Sequence, residues 1–350
     1  MNLSLVSPRV VGVLAMLTAG SVVIAVCGHR SLVRPLAVLG AVLLLVLTAA
    51  AGVNEYFDYI PTTGALLGQR AADQASPRRV LSAVHAARPP TRGLVELVSI
   101  PPVRSGFRTR RAQVYLPPAW FSSPRPALPV VELLHGTPGS PTDWTRAGAA
   151  DLTADAWAVD HGGIAPILVL VDENGGFTRD SECVGASESY VVDDVRAWAV
   201  STLGARTDAR SWAIGGSSEG GWCALMLALR HPDRYSTLLD FGGLDRPTHS
   251  GGALRLFGGS RARMRRYSLR HLLVDGAARR DGVAAWLEVG SADGGTTRAV
   301  EHVAALLRSH DIATHVVLIP HAHHTWRVWR HCLHDAFPWV ATRVDAAYAT

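Results

Sequence analysis

The segment that most constrains the fold is residues 216–220, with the sequence Gly-Ser-Ser-Glu-Gly. It matches the pattern Gly-x-Ser-x-Gly. An apolar run ending at Gly215 precedes it and predicts a buried strand, while the apolar stretch from Trp222 to Arg230 predicts a buried helix. A strand, a tight turn and a helix together form the setting of a nucleophile elbow, in which glycines leave room for a strained turn that exposes the serine. The alternative is a glycine-rich turn without chemistry.

From about residue 93 onward, short apolar runs alternate with stretches of helical pattern, which predicts an α/β domain. The alternation places helices after the third strand, as in the α/β-hydrolase fold. The predicted fold class is therefore α/β, with a mostly parallel eight-stranded sheet preceded by two N-terminal transmembrane helices. The eight strands are expected near residues 94–100, 111–117, 129–134, 166–171, 211–215, 236–241, 284–289 and 314–319.

A serine hydroxyl needs a general base to act as a nucleophile, and the base needs an acid to orient it. Asp293 follows the seventh predicted strand and His324 follows the eighth, so the order Ser, Asp, His matches that of the α/β-hydrolase fold. We predict that Ser218 is the nucleophile, His324 the base and Asp293 the orienting acid. Asp245, after the sixth strand, is the rival acid, and Asp293 could instead cap the helix that follows it.

An acyl-transfer site also needs donors for the developing oxyanion. The backbone N–H of Glu219 begins the helix after Ser218, where it can face the oxyanion. The loop after the third predicted strand, His-Gly-Thr-Pro-Gly at residues 135–139, supplies a second candidate in the backbone N–H of Thr137. The alternative for that loop is an ordinary Gly/Pro turn.

Three histidines crowd the last loop, at His321, His323 and His324. His-x-His-His resembles a metal-ligand cluster, which makes a metal site the competing interpretation. No second group of carboxylates or histidines is positioned in the sequence to complete it. We therefore predict no metal and no cofactor, and we interpret His321 and His323 as polar neighbours of the base.

Residues 10–28 and 35–53 carry no charge, and each stretch is long enough to cross a bilayer as a helix. A signal peptide is the alternative for the first stretch, but a second apolar stretch follows without a clear Ala-x-Ala site. Arg30 and Arg34 lie between the two. The positive-inside rule then predicts a multi-pass cell-membrane protein with this loop in the cytoplasm and the catalytic domain extracytoplasmic.

Composition and segment boundaries complete the predicted organisation. Residues 1–53 form a two-helix membrane anchor, residues 54–91 a connector, and residues 92–350 the catalytic domain, with an Arg-rich insertion at about 242–282. The insertion is either a lid or lipid-headgroup surface or a solvated segment. All 34 basic residues are Arg, the net charge is +5, and the arginines are not interleaved with aromatic residues, which argues against nucleic-acid binding.

The four cysteines, at positions 27, 183, 223 and 332, include no Cys-x-x-Cys pair. A domain facing an oxidising compartment disfavours unpaired thiols. Cys223 opens the helix behind Ser218, and Cys183 lies in the loop between the fourth and fifth strands, which this fold brings near that helix. We predict a disulfide between Cys183 and Cys223, with free thiols as the alternative.

Five motifs together resemble the putative esterase family, which takes in esterase D, the enterochelin esterases and the mycolyltransferases of the mycobacterial envelope. The resemblance covers roughly residues 94 to 340. The motifs begin at residues 114, 133, 216, 230 and 324, and they read Val-Tyr-Leu-Pro-Pro-Ala-Trp, Leu-Leu-His-Gly, Gly-Ser-Ser-Glu-Gly-Gly, Arg-His-Pro-Asp-Arg-Tyr and His-Thr-Trp-x-x-Trp.

The resemblance implies an α/β-hydrolase fold, a Ser-His-acid triad and acyl-ester chemistry without a cofactor. The apolar hairpin and the residues 53–61 that follow it look like the membrane-anchored actinobacterial branch of the family. Glu219 departs from the family pattern, in which Met is frequent at this position.

Three functions remain open at this stage. The first is a membrane-anchored serine esterase acting on cell-envelope esters, and the second is an acyltransferase that passes the acyl group to a sugar or lipid hydroxyl. The third is a catalytically inactive envelope-binding module, against which the complete set of triad residues argues. The expected partners are an ester or lipid substrate and the membrane.

Overall fold

The computed structural model describes residues 4–28, 33–60, 62–66, 74–86, 88–249, 252–275 and 282–346. The chain divides into two compact units. The first comprises Met1–Ala72 with Thr325–Arg327, and the second comprises Asp73–His324 with Val328–Thr350.

The first unit contains two long apolar helices, α1 (Pro8–Cys27) and α2 (Val33–Phe57), and the short α3 (Thr63–Leu66). Both long helices have the length and composition needed to cross a membrane, with mean hydropathies of 2.5 and 2.6. The hydroxyls of Thr18 and Thr48 lie 3.2 Å apart and join the two helices. Arg34 stands in the first turn of α2, whereas Arg30, in the predicted loop, lies outside the described residues.

The second unit is built on a nine-stranded sheet in the order β1-β2-β3-β5-β4-β6-β7-β8-β9. The pairs β2–β3 and β3–β5 are antiparallel, and all other neighbours are parallel. The strands are β1 (Gln74–Ala75), β2 (Leu94–Val98), β3 (Ala112–Leu116), β4 (Val130–Leu134), β5 (Ile167–Val171), β6 (Trp212–Ser217), β7 (Thr237–Phe241), β8 (Ala284–Gly290) and β9 (Ala313–Ile319).

All eight predicted strands are present, and among the described residues β1 is an additional strand that the sequence analysis missed. It contains only two residues, too few to show an alternating pattern, and it pairs with β2 at the edge of the sheet. The mostly parallel sheet of the predicted α/β-hydrolase fold is confirmed, with nine strands in place of eight.

Helices fill the connections between the strands. They are α4 (Pro77–Val84), α5 (Asp143–Arg146), α6 (Ala150–Asp160), α7 (Ala186–Ser189), α8 (Arg196–Trp198), α9 (Glu219–Arg230), α10 (Ala253–Leu256), α11 (Arg261–Arg265), α12 (Leu269–Asp275), α13 (Gly295–Arg308) and α14 (Trp326–Ala346). In the described part of the chain, the π-helical segments Tyr190–Val195 and Ala199–Leu203 flank α8, and 3₁₀ turns occupy Pro118–Phe121 and Ala209–Ser211.

The central strands are buried along their whole length, because helices cover both faces of the sheet. Every residue of β4, β5, β6 and β7 is buried. This pattern explains why these strands are nearly continuous apolar runs and do not alternate. α9 packs as the central helix, with all of its residues from Glu219 to Leu229 buried.

The parallel register sets the position of the candidate site. Leu134 of β4 pairs with Gly216 of β6, and Gly290 of β8 pairs with Ile319 of β9. The loops that follow these four strands therefore emerge at one edge of the sheet. In open α/β sheets, ligands bind at the carboxyl ends of the strands.

Candidate active site

Ser218 occupies a strained turn between β6 and α9. Its backbone φ is 55° and its ψ is −119°, a conformation that side-chain-bearing residues rarely adopt. A Cβ atom at Gly216 would overlap the backbone of Gly220, and one at Gly220 would overlap the carbonyl oxygen of His135. Because only glycine fits at both positions, the Gly-x-Ser-x-Gly pattern is a steric requirement of this turn.

The side chains of Ser218, His324 and Asp293 form a continuous hydrogen-bonded relay. Ser218 Oγ lies 2.9 Å from His324 Nε2, and His324 Nδ1 lies 2.6 Å from Asp293 Oδ2. The structure therefore brings together the three residues that the sequence analysis selected. Asp293 comes from the loop after β8, and its side chain is only 13% exposed. This arrangement lets the serine pass its proton to the imidazole while the carboxylate orients the ring.

The prediction that Asp293 and not Asp245 contacts His324 is confirmed. Asp245 points elsewhere: its Oδ2 lies 2.9 Å from His302 Nδ1, and its Oδ1 lies 3.2 Å from Arg246. The chain-order argument therefore selected the correct loop for the neighbour of the histidine.

Two residues that the sequence analysis gave no role lie against this relay. The ring of Trp329, on α14, meets the imidazole of His324 edge to face at 4.9 Å between ring centroids. Gly242 has a positive φ of 66°, and a Cβ at that position would lie 3.6–3.7 Å from atoms of Asp293, Trp329 and His324. Trp329 restricts the orientation of the imidazole, and its place in the His-Thr-Trp-x-x-Trp motif was the available signal.

The loop after β4 lies beside Ser218. A Cβ at Gly136 would stand 3.1 Å from Ser218 Cβ and 3.7 Å from Ser218 Oγ. Within the described part of the chain, the backbone N–H groups of Thr137 and Glu219 donate to no protein acceptor. Both groups are therefore available to a ligand, while their assignment as oxyanion donors remains a prediction.

An ion pair with a buried carboxylate braces the same loop. Arg110 Nη2 lies 2.6 Å from Asp172 Oδ1 and donates to the carbonyl of Gly139 at 3.1 Å. His135 Nε2 lies 3.0 Å from the same guanidinium. Burial would raise the pKa of Asp172, but hydrogen bonds from His135 and Arg110 and the Arg110 charge hold it below its ordinary value. The ionised pair thus ties β3, the loop after β5 and the loop carrying Thr137 together.

The side chain of Glu219 belongs to a second polar network that the sequence analysis did not anticipate. Its carboxyl group contacts the hydroxyl of Thr137 and accepts from Asn174 Nδ2 at 2.6 Å and from the Glu182 backbone N–H at 3.1 Å. Burial raises the pKa of Glu219 to about 8, and the charge of Asp180 adds to this effect. In the sequence, Glu219 is distinguished only by its departure from the family pattern.

The predicted disulfide is confirmed: Cys183 and Cys223 are bonded, with their Cα atoms 5.6 Å apart. It joins the loop after β5 to the first turns of α9. Cys332 is a buried free thiol, and Cys27 is an exposed one.

His324 is engaged with Ser218 and Asp293, while His321 and His323 are exposed on the same loop. Among the described residues, Glu288, His331 and Asp335 place three potential metal-ligand atoms within 4.8 Å of one another. His331 and Asp335 are exposed, and this group includes none of the loop histidines that suggested a metal site in the sequence.

Comparisons with known proteins agree with this geometry. The chain is 32% identical over 319 residues to an uncharacterized protein of Corynebacterium glutamicum, covering 86% of this chain and 74% of that protein. Among solved structures, it resembles a ferulic acid esterase (TM-score 0.59, 16% identity, 72% of this chain and 99% of the other). It also resembles an S-formylglutathione hydrolase of Agrobacterium tumefaciens (TM-score 0.58, 20% identity, 73% and 97%).

Both solved structures share the fold of the second unit. The family model described as putative esterase matches residues 107–340, which include every residue of the relay and both loops beside it. The chain therefore belongs to the putative esterase family of α/β-hydrolases and is an ester-cleaving or acyl-transferring enzyme.

Proposed function

We propose that the protein is a membrane-anchored serine esterase that cleaves a carboxylic ester of the cell envelope through an acyl-enzyme on Ser218. The observation that carries the proposal is the relay from Ser218 Oγ through His324 to Asp293, with both contacts at 2.9 Å or less. The family supports ester or acyl-transfer chemistry.

In this mechanism, His324 takes the proton of Ser218 as the serine oxygen attacks the ester carbonyl carbon. The carbonyl oxygen becomes an oxyanion, which the backbone N–H groups of Thr137 and Glu219 stabilise. His324 then gives its proton to the departing alkoxide, and the ester bond breaks. Water, activated by the same imidazole, releases the carboxylic acid and restores the enzyme. Asp293 stays ionised and stabilises the imidazolium that forms in each step.

The proposed location rests on two independent features. α1 and α2 are long and apolar enough to cross a membrane, and Arg30, between them in the sequence, together with Arg34, in the first turn of α2, favours a cytoplasmic loop. The disulfide between Cys183 and Cys223 supports an oxidising compartment for the second unit. Together these features support an extracytoplasmic catalytic domain, whose substrate is then an envelope ester.

The experiment uses the full-length chain in detergent micelles with p-nitrophenyl esters of increasing acyl length, each with and without trehalose. An esterase releases the free acid in both cases, and the optimum chain length describes its acyl site. An acyltransferase forms acylated trehalose, which mass spectrometry detects, and this result would replace hydrolysis as the function. Turnover no greater than that of the Ser218→Ala variant would contradict both.

A further inference from the structure

The carboxyl group of Glu219 connects the two residues whose backbone N–H groups are proposed to bind the oxyanion. Glu219 carries one of these donors itself, and its side chain contacts the hydroxyl of Thr137, which carries the other. The residue is 7% exposed although it lies directly beside the half-buried nucleophile. The inference that follows rests on the proposed function.

The hydrogen bonds around Thr137 require a proton on Glu219. Thr137 Oγ1 lies 2.9 Å from the carbonyl oxygen of Arg179, which can only accept, so the single hydroxyl proton is used there. The contact between Thr137 Oγ1 and Glu219 Oε2 then needs a proton from the carboxyl group. An ionised Glu219 would leave one of these two oxygen pairs without a hydrogen atom.

Asn174 supplies the other hydrogens of this network. Its Oδ1 accepts from the backbone N–H of Ser181 at 2.7 Å, which sets the orientation of the amide. Its two Nδ2 hydrogens are then directed to the two nearer acceptors, Thr137 Oγ1 at 3.0 Å and Glu219 Oε2 at 2.6 Å, while Glu173 Oε1 lies further away at 3.4 Å. With Glu219 neutral, every contact among Asn174, Thr137, Arg179 and Glu219 has one hydrogen atom.

The electrostatic surroundings favour the same neutral state. The ionisable groups that face Glu219 from the loop after β5 are Glu173, Asp180 and Glu182, and all three are acids. Three neighbouring carboxyl groups disfavour a further negative charge on Glu219. His249, from the segment after β7, interacts with Asp180 and is thus a more distant neighbour of Glu219.

Other charged groups stand behind these neighbours. The Arg110–Asp172 pair and His135 lie behind Glu173, and Asp240 contacts the first turn of α9 at Gly221. Within the described residues, none of the hydrogen bonds or ion pairs of the Glu219 carboxyl comes from a basic side chain. Ionisation would therefore place an uncompensated negative charge beside the site.

We propose that the neutral carboxyl group of Glu219 is a positioning group for the oxyanion site, and that the enzyme loses activity when this group ionises. Ionisation removes the bond from the Glu219 hydroxyl to Thr137, which then no longer holds the loop after β4 against α9. It also puts a negative charge on the residue whose N–H faces the developing oxyanion. Both effects act on the transition state, so kcat falls more than KM changes.

The test measures kcat and KM for p-nitrophenyl butyrate between pH 5.5 and 9.5, with the full-length chain in detergent. The wild type is expected to lose activity with a midpoint near pH 8, the pKa of Glu219 being about 8. If the ionised form is inactive, kcat falls about tenfold by one pH unit above the midpoint. Glu219→Gln has a neutral side chain at every pH, so its activity should show no alkaline loss up to pH 9.5. Glu219→Met serves as a second neutral variant in case Gln does not fold.

The matched control is Glu182→Gln, which neutralises the neighbouring acid but keeps a side-chain oxygen for the backbone N–H groups of Thr248 and His249. It should retain the alkaline loss of activity, at a somewhat lower pH, because the charge of Glu182 contributes to the raised pKa of Glu219. The rate of Ser218 labelling by a fluorophosphonate, measured over the same pH range, provides a readout that does not depend on the substrate.

Three outcomes would overturn this role of Glu219. They are a wild-type profile without an alkaline loss, a loss that persists in Glu219→Gln and Glu219→Met, and a loss that disappears in Glu182→Gln while remaining in the Glu219 variants. A wild-type chain that neither hydrolyses esters nor reacts with the fluorophosphonate at any pH would instead overturn the proposed function itself, and the proposal for Glu219 with it.

Discussion

The disulfide between Cys183 and Cys223 links the loop after β5 to the helix that begins directly after Ser218. Cys183 and its neighbour Glu182 both have positive φ values, 53° and 49°. The backbone N–H of Glu182 donates to the carboxyl group of Glu219. The disulfide thus holds Glu182 and Cys183 in a backbone conformation that side-chain-bearing residues rarely adopt. The hydrogen bond from Glu182 to Glu219 depends on this conformation.

Removing the bridge should destabilise the second unit. The two cysteines are 40 positions apart, and closing a loop of this length reduces the entropy of the unfolded chain by an amount worth about 4 kcal/mol. We expect the Cys183→Ala/Cys223→Ala double variant to unfold at a lower denaturant concentration than the wild type. Tryptophan fluorescence measures the unfolding of both proteins. Cys27→Ala is the control and should match the wild type. Equal stability of the double variant and the wild type would contradict this expectation.

Replacing Asp293 by Asn should lower kcat by a factor of about 10³–10⁴, because the imidazole of His324 loses the carboxylate that selects its tautomer and stabilises its charge. Asp245→Asn is the matched control. Asp245 bonds His302 and Arg246, so its replacement should leave kcat within about twofold of wild type, a typical result for a surface substitution. The assignment fails if the two variants lose similar amounts of activity.

Folding stability should fall as the pH rises from about 5 to 8. Burial raises the pKa of Glu132, a residue of β4, to about 8 and that of Asp240 to about 7. Both groups hold a proton in the folded state at pH values where the unfolded chain has released it. Their contribution is complete below the unfolded pKa values and is lost as the pH passes through the folded ones.

The variant Glu132→Gln tests this pH dependence. An uncharged side chain should remove up to about 1.4 kcal/mol per pH unit from the slope of unfolding free energy against pH in this window. Glu188 serves as the comparison, because hydrogen bonds from His231 and Tyr267 and the charge of Arg230 lower its pKa despite its burial. Its contribution to folding stability therefore changes at a lower pH than that of Glu132. Parallel slopes for the wild type and Glu132→Gln between pH 5 and 8 would exclude a role for Glu132.

The orientation in the membrane can be tested with intact spheroplasts. If the loop between α1 and α2 is cytoplasmic, added protease should digest the second unit and spare the two apolar helices. A cytoplasmic protein in the same cells controls for lysis. Protection of the second unit until detergent is added would place it in the cytoplasm, and an envelope ester could then not be its substrate.

Much of the fold was readable from the sequence because its signals are local. The buried strands are continuous apolar runs, and the glycines around Ser218 mark a turn that only glycine allows. Chain order was enough to place Asp293 and His324 after neighbouring strands. The short strand β1 escaped detection, since two residues show no periodicity, and the π-helical segments around α8 have the same apolar pattern as an ordinary helix.

The network around Glu219 could not be read from the sequence. Its contacts with Thr137, Asn174 and Glu182 span 82, 45 and 37 positions along the chain, and they depend on how three loops meet at the sheet edge. The same holds for the pair of Arg110 and Asp172, which are 62 positions apart. Local patterns indicate which loops converge, but the partners of a side chain within them depend on the tertiary structure.

The central claim is that Ser218 is the nucleophile, and covalent labelling tests it most directly. The full-length protein is treated with a fluorophosphonate, which reacts with an activated serine, and the modified peptide is identified by mass spectrometry. Ser217→Ala is the matched control, because Ser217 is the adjacent serine and is completely buried. We predict an adduct on Ser218 in the wild type and in Ser217→Ala, and no adduct in Ser218→Ala. Labelling that persists in Ser218→Ala, or that maps to Ser217, would contradict the claim.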